Sequence, residues 1–272
     1  MTTPVSANDP ARVAAQYSSD RHLQARIQTH RRYSVGAELE DEVDVLLALS
    51  GNEALLDVGT GPGHFPGRLQ RGGHRGRVVG VDLSAGMVAA AQADYPQVEF
   101  VQAAADALPF GAAAFDVLTA RHMLYHVPSV PAALAEFRRV LRPGGRFLAV
   151  TNAAEYMPEL WQAVEEAAAL EPPLAPLAAS RRGVADAFSE ANGEAWVQET
   201  FGHVQLSFSN NALVFPGPEP LLAYLHSHPA WLELSEEDRA RGQAALDAVL
   251  AGRFASGPFR VSKRIAFLTA RR

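Results

Sequence analysis

Three glycines at alternate positions, Gly59, Gly61 and Gly63, follow a short apolar run into which a single carboxylate, Asp57, is set. Glycine loses more backbone freedom on folding than any other residue, so such a cluster calls for positive φ angles or close approach of something to the backbone. A second acid, Asp82, ends the run Val79-Gly80-Val81. Backbone N–H groups where a chain enters a helix favour an anion, phosphate or carboxylate. An acid at the end of the following strand commonly accepts hydrogen bonds from both hydroxyls of a ribose. Together these residues ask for a nucleoside that carries an anionic group. Further on, Arg121-His122-Met123-Leu124-Tyr125-His126 offers two imidazoles as candidate proton acceptors. Their spacing of four would let both face one ion from a helix, but no HExxH glutamate or third ligand accompanies them, and no metal is expected.

Two cofactor classes fit a ribose acid beside a glycine loop: a dinucleotide such as NAD, and S-adenosylmethionine. The glycine spacing is GxGxG, with His64 and Phe65 where the dinucleotide fingerprint GxGxxG places its third glycine. Asp57 would crowd a pyrophosphate but could help to hold an ammonium or sulfonium group. A glycine turn that only packs a helix on a strand is the alternative without a ligand.

The elements that must position these residues are legible as a rhythm. Short β-type runs at 54–58, 77–81, 98–103, 115–120 and 146–150 alternate with helical patterns, as in βαβ units of a parallel sheet. Between the last two, Ser129 can cap a helix, Pro131 suits its first turn, and Leu134, Phe137, Val140 and Leu141 share a face until Pro143-Gly144-Gly145 stops it. Runs at 203–208 and 259–268 add two strands. The predicted fold is α/β: a Rossmann-like, mainly parallel seven-stranded sheet with helices on both faces. Residues 1–50 read as an N-terminal helical lid, 51–152 as the cofactor-binding core, and 153–272 as the rest of the same domain. The latter includes cap helices over 155–185 and 213–258.

Composition narrows the chemistry. The chain has 272 residues, 24 basic against 30 acidic, and a formal charge of -6, which disfavours a nucleic-acid polyanion as main partner. Cysteine is absent, so thiolate chemistry and disulfides are excluded. The sole lysine, Lys263, lies in the last strand, which disfavours a phosphate-loop lysine and a Tyr-x-x-x-Lys pair. No stretch has the roughly 20 apolar residues that cross a bilayer, and the N-terminus lacks a secretory pattern, so a cytoplasmic location without membrane insertion is expected. The basic cluster from Arg21 to Arg32 reads as a solvated helical face, or as a site for an acidic substrate or RNA phosphates.

Four blocks in order, LLDVGTGPGHF (55–65), VVGVDLSAGMVAAA (78–91), VEFVQAAADALPF (98–110) and FDVLTARHMLYHVPSVPAALAEFRRVLRPGG (115–145), resemble the class I S-adenosylmethionine-dependent methyltransferases. The likeness is to the small-molecule group that includes ubiquinone and menaquinone C-methyltransferases, and it covers about half of the chain beyond residue 50. It implies that Gly59, Thr60 and Gly61 pass under the methionine part of the cofactor, with Asp57 below its amino group. Asp82 would take the ribose hydroxyls, Leu83 and Met87 would line the adenine pocket, and Asp106 with the Ala107 backbone would face the adenine amino group. Arg121 and His122 would border the methionine moiety. The segment His30-Arg31-Arg32-Tyr33-Ser34 resembles the lid that folds over the cofactor, which brings in Tyr33.

The implied activity is methyl transfer to an O, N or C atom of a small molecule, leaving S-adenosylhomocysteine. The residues would chiefly hold the acceptor in line and exclude water, with His122 and His126 as the candidate bases. Tyr17, Tyr33, Tyr125, His226 and His228 are candidates for the acceptor pocket. The alternatives are an RNA methyltransferase and a non-catalytic relative that binds the cofactor; a nicotinamide oxidoreductase is disfavoured by its missing glycine.

Overall fold

The computed structural model describes residues 21–272, with side-chain detail from residue 25 onward; Tyr17 and the first part of the expected lid lie outside them. Helix α1 (Arg21–Tyr33) leads into the two-residue strand β1 (Ser34–Val35) and helix α2 (Leu39–Leu47). The core follows as β2 (Leu55–Val58), α3 (His64–Arg71), β3 (Val78–Asp82), α4 (Ala85–Asp94), β4 (Glu99–Gln102), β5 (Phe115–Arg121), α5 (Val130–Val140) and β6 (Leu141–Asn152). Then come α6 (Pro158–Leu170), α7 (Ala175–Ala187), α8 (Glu190–Phe201), β7 (Gln205–Phe215), α9 (Pro218–His226), α10 (Pro229–Leu232), α11 (Glu236–Phe254) and β8 (Phe259–Arg271).

Local chemistry sets several boundaries. The Ser129 hydroxyl accepts from the Ala132 N–H at 3.3 Å and starts α5, whose Leu134, Phe137 and Val140 are fully buried. Ser84 caps α4 in the same way through Met87, and Ser235 caps α11 through Asp238 at 3.1 Å.

The strands form one sheet in the order β1-β7-β8-β6-β5-β2-β3-β4. Neighbours from β6 to β4 are parallel; β8 runs antiparallel to both β6 and β7. The expectation of seven strands is corrected to eight. The extra strand comes from the segment expected as a lid: Ser34 pairs with Leu213 and Val35 with Ala212, antiparallel, which covers part of the β7 edge. Two boundaries also move. Strand β7 extends to Phe215, opposite Phe259, so 213–215 belongs to the sheet and not to the cap. Helix α5 ends at Val140, and the Pro143-Gly144-Gly145 turn lies within β6, where the pairing to β5 shifts register between Phe115 and Val117. A left-handed glycine, Gly144 at φ 77°, absorbs that irregularity.

Alternation along the strands separates two cores. Leu55, Val117, Leu148, Val150, Ile265 and Phe267 face one side with Val43, Trp161, Leu225 and Leu246 of the lid and cap helices. Leu56, Leu118, Phe147, Ala149 and Leu268 face the other with Phe137 of α5 and Val197 of α8. A strand buried on both faces reads as a continuous apolar run, which is why β2 and β5 carried so clear a signal. Among the described residues no helix is long and apolar enough to cross a membrane.

Candidate functional site

A cavity of about 710 Å³ opens at the C-terminal ends of the parallel strands and runs beneath α1. One end is built by the glycine loop. Gly59, Gly61 and Gly63 have φ of 70°, 55° and 77°, so the left-handed backbone that glycine tolerates is needed at all three. Their surroundings differ. A Cβ on Gly59 would lie 2.5 Å from the Met123 side chain, whereas one on Gly61 would meet nothing within 4 Å. Gly59 is therefore required by the packing of the protein itself, and Gly61 faces open space in the cavity wall.

The two strand-end acids are held differently. Asp57, only 2% exposed, accepts a 2.6 Å hydrogen bond from the Thr119 hydroxyl, and the Arg121 Nε lies 3.9 Å from it. Burial raises the Asp57 pKa, opposed by the Arg121 charge and the Thr119 hydrogen bond. Asp82 accepts from the Gly61 N–H at 2.8 Å and the Ser84 N–H at 2.9 Å, and burial raises its pKa against those backbone donors. A carboxylate has about four lone-pair sites, so two backbone donors leave capacity for more hydrogen bonds. Leu83, Met87 and 103–106 complete this end.

Arg121 joins the end of β5 to α2. Its Nη1 donates to both oxygens of Glu40 on α2, at 2.9 and 3.0 Å, and its guanidinium sits 4.1 Å over the Phe65 ring. Its buried Nε has no hydrogen-bond partner among the described residues.

The other end has a different character. His30, His122, His126, Tyr125, Tyr156, Tyr224, Arg26 and Lys263 all line it. The Tyr156 hydroxyl and His30 Nε2 are 3.3 Å apart, and the Tyr224 ring meets the His30 ring edge-on at 5.7 Å. Burial, with the nearby charges of Lys263, His122 and Arg26, pushes the His30 pKa down to about 3. Burial does the same to His122, with Arg121 and Lys263, and to His126, with Arg26, each to about 4. All three imidazoles are consequently neutral at pH 7. His122 is further marked by a left-handed φ of 53° and by a buried Nδ1 without a partner among the described residues. Left-handed backbone away from glycine costs of order 1 kcal/mol and clusters at functional sites.

Most sequence-singled residues thus meet on one cavity: Asp57, Gly59, Thr60, Gly61, Asp82, Leu83, Met87, Asp106, Arg121, His122 and His126. Others lie elsewhere. Tyr33 packs its ring on Phe215 at 5.4 Å, outside the cavity lining. The Ala107 N–H donates to the Ala104 carbonyl at 3.2 Å. His226 stacks on Trp231, and His228 accepts from the Ala230 N–H to start α10. The two histidines spaced by four do not share an α-helix: His122 precedes, and His126 ends, a 3₁₀ turn. Sequence reasoning missed Tyr156 and Tyr224, which carry no local motif, and set Lys263 aside as remote. The signal for Lys263 was present: it occupies an inward position of the alternating stripe Val261, Lys263, Ile265 in β8.

Residues 56–149 match the family of methyltransferase domains. A malonyl-[acyl-carrier protein] O-methyltransferase of Enterobacter lignolyticus is 36% identical over 115 residues, 41% of this chain and 45% of that protein. The demethylmenaquinone methyltransferase of Lactococcus lactis is 35% identical over 118 residues, 41% of this chain and 47% of that protein. The chain spans about half the length of these curated relatives. Phosphoethanolamine N-methyltransferase 2 of Haemonchus contortus, solved with phosphomonomethylethanolamine and S-adenosylhomocysteine, shares the fold. Its TM-score is 0.58 at 15% identity, covering 98% of this chain and 60% of that one.

Proposed function

We propose that the chain, whose residues 56–149 match the family of methyltransferase domains, is a class I S-adenosylmethionine-dependent enzyme that moves a methyl group to a small-molecule acceptor enclosed by the lid and cap. The observation that carries this reading is the wall at Gly61: a left-handed backbone, open space where a side chain would stand, and the Asp82 carboxylate bonded to its N–H. That combination suits a ligand laid against the loop with a ribose beside Asp82. Asp57, buried with a raised pKa, suits a cationic group above it, because an added positive charge offsets the cost of keeping the carboxylate ionised. S-adenosylmethionine would supply there a methyl on a positively charged sulfur, already activated for in-line displacement.

The rest is the work of the chain. Met123 packs against the Gly59 backbone, and the Arg121–Glu40 pair ties α2 to the end of β5, where it would help to keep water from the transferred methyl. The acceptor would lie between the glycine loop and the His30–Tyr156–Tyr224 group. His122 and His126, the candidate bases, are neutral but weakly basic at a pKa of about 4, well below the operating pH at which a general base is most effective. They suit hydrogen bonding and orientation of the acceptor. In this reading 1–50 is the lid, 51–152 the cofactor core and 153–272 the remainder of the domain with its caps.

Calorimetry tests the reading. S-adenosylhomocysteine should bind and NADH should not; the reverse result, or neither binding, would end it.

A further inference from the structure

We propose that the far end of the cavity holds a carboxylate subsite centred on Lys263, and that the acceptor is a small carboxylic acid with an aromatic or apolar body. The inference rests on the cavity reading above and names its substrate class.

Lys263 is the only lysine in the chain and is 7% exposed. It stands at an inward position of β8, between Val261 and Ile265, both buried members of the apolar core. An ammonium in such a stripe loses hydration and needs compensation. Its Nζ donates to the Ser34 hydroxyl at 3.0 Å, a neutral partner. Glu38 and Glu42 act on it through their charges, and among the described residues no carboxylate pairs with it directly. Burial accordingly lowers its pKa.

What surrounds Lys263 defines the ligand. Its charge bears on both His30 and His122, which line the same cavity. These imidazoles are neutral and leave the cationic charge at this end to Lys263 and Arg26, the latter bonded to the Ser227 carbonyl at 2.8 Å. Tyr156, Tyr224 and Ile265 supply ring and apolar contacts on the same wall. One buried ammonium matches one anionic charge. A phosphate, with nearly two, would call for several donors or a backbone nest. Asp57, Asp82 and Asp106 line the glycine-loop end, and Glu38, also on the cavity wall, acts on Lys263 without pairing with it directly, so a carboxylate is turned away from Asp57 and Asp82 and toward the ammonium.

The test titrates benzoate and phenylacetate, each against its neutral amide, into the protein saturated with S-adenosylhomocysteine, by calorimetry. The acids should bind at least tenfold more tightly than the amides. Lys263→Met should abolish that preference while leaving the affinity for S-adenosylhomocysteine intact, and Lys263→Arg should keep it. Because Lys263 is the sole lysine, reductive methylation read by mass spectrometry needs no variant: saturating phenylacetate should slow modification of Lys263, and phenylacetamide should not. No preference for acid over amide, a preference that survives in Lys263→Met, or tighter binding of phenyl phosphate than of benzoate would overturn the proposal. So would a lysine that only ties β1 to β8, which predicts a lower melting temperature for Lys263→Met and an unaltered acid-to-amide ratio. Failure of S-adenosylhomocysteine to bind would instead sink the cofactor reading.

Discussion

The two ends of the cavity are built on opposite plans. The glycine-loop end takes its residues from consecutive strand ends, and its two buried acids, Asp57 and Asp82, have pKa values that burial raises. The far end collects side chains from α1, the loop after β5, the 155–185 segment, α9 and β8, and its three imidazoles, His30, His122 and His126, have pKa values that burial lowers. Burial does the same thing at both ends, disfavouring the charged form, and the sign differs only because acids and bases are charged in opposite protonation states. A cation is therefore the ligand that relieves the first end, while the second stays neutral apart from Lys263 and Arg26.

The comparison breaks most visibly under acid. A histidine neutral in the fold to about pH 4 but protonated below about 6.5 when unfolded favours the unfolded chain as pH falls, by roughly 1.4 kcal/mol per unit in that window. With His30 down to about 3 as well, stability should drop by several kcal/mol between pH 6.5 and 4. Asp57 and Asp82, raised in the fold, act with the opposite sign and gain as they protonate. Melting curves against pH check this; a His30→Gln protein should show a shallower decline, and an identical slope would show that His30 titrates normally.

Next in size are the loop glycines. Gly59→Ala should lower stability by about 1–3 kcal/mol, because Met123 must move and a left-handed φ is strained. Gly61→Ala carries only the backbone strain, about 1–2 kcal/mol, yet should weaken S-adenosylhomocysteine binding disproportionately, since its methyl enters open cavity. Melting and calorimetry on both proteins separate them; equal losses in both readouts would erase the distinction.

Asp82→Ala should weaken that binding by about 1–3 kcal/mol if the carboxylate bonds the ribose. Tyr156→Phe, at the other end, should leave it unchanged and alter acceptor affinity alone; a fall in cofactor affinity would mean that the two ends are not separate. Smallest of all, Arg77→Ala removes a half-exposed ion pair with Glu99 at 2.9 Å and should cost no more than about 1 kcal/mol.

How much was legible follows the same division. Asp57, Asp82 and the three glycines sit within 26 residues of chain, where strand, turn and helix periodicities dictate which groups emerge at the strand ends. The loop could be placed because Leu55–Val58 is buried on both faces and must run straight into the turn. Tyr33 shows the limit: the lid segment was recognised by likeness, but the pairing of Ser34 with Leu213 turned its ring onto Phe215. A two-residue strand has no period to read.

What this sequence determined by itself was the α/β core, the C-terminal strand ends as the place where the cavity opens, and the acids of the glycine loop, all consequences of backbone sterics and local alternation. Only the tertiary structure decided that His30, Tyr156, Tyr224 and Lys263 share one chamber. Those residues are separated by up to 233 positions, and their meeting depends on the antiparallel return of β8 beside β6 and on the pairing of β1 with β7. Non-local packing of that kind leaves no periodic trace in the chain, because what selects the neighbours is the mutual burial of whole elements.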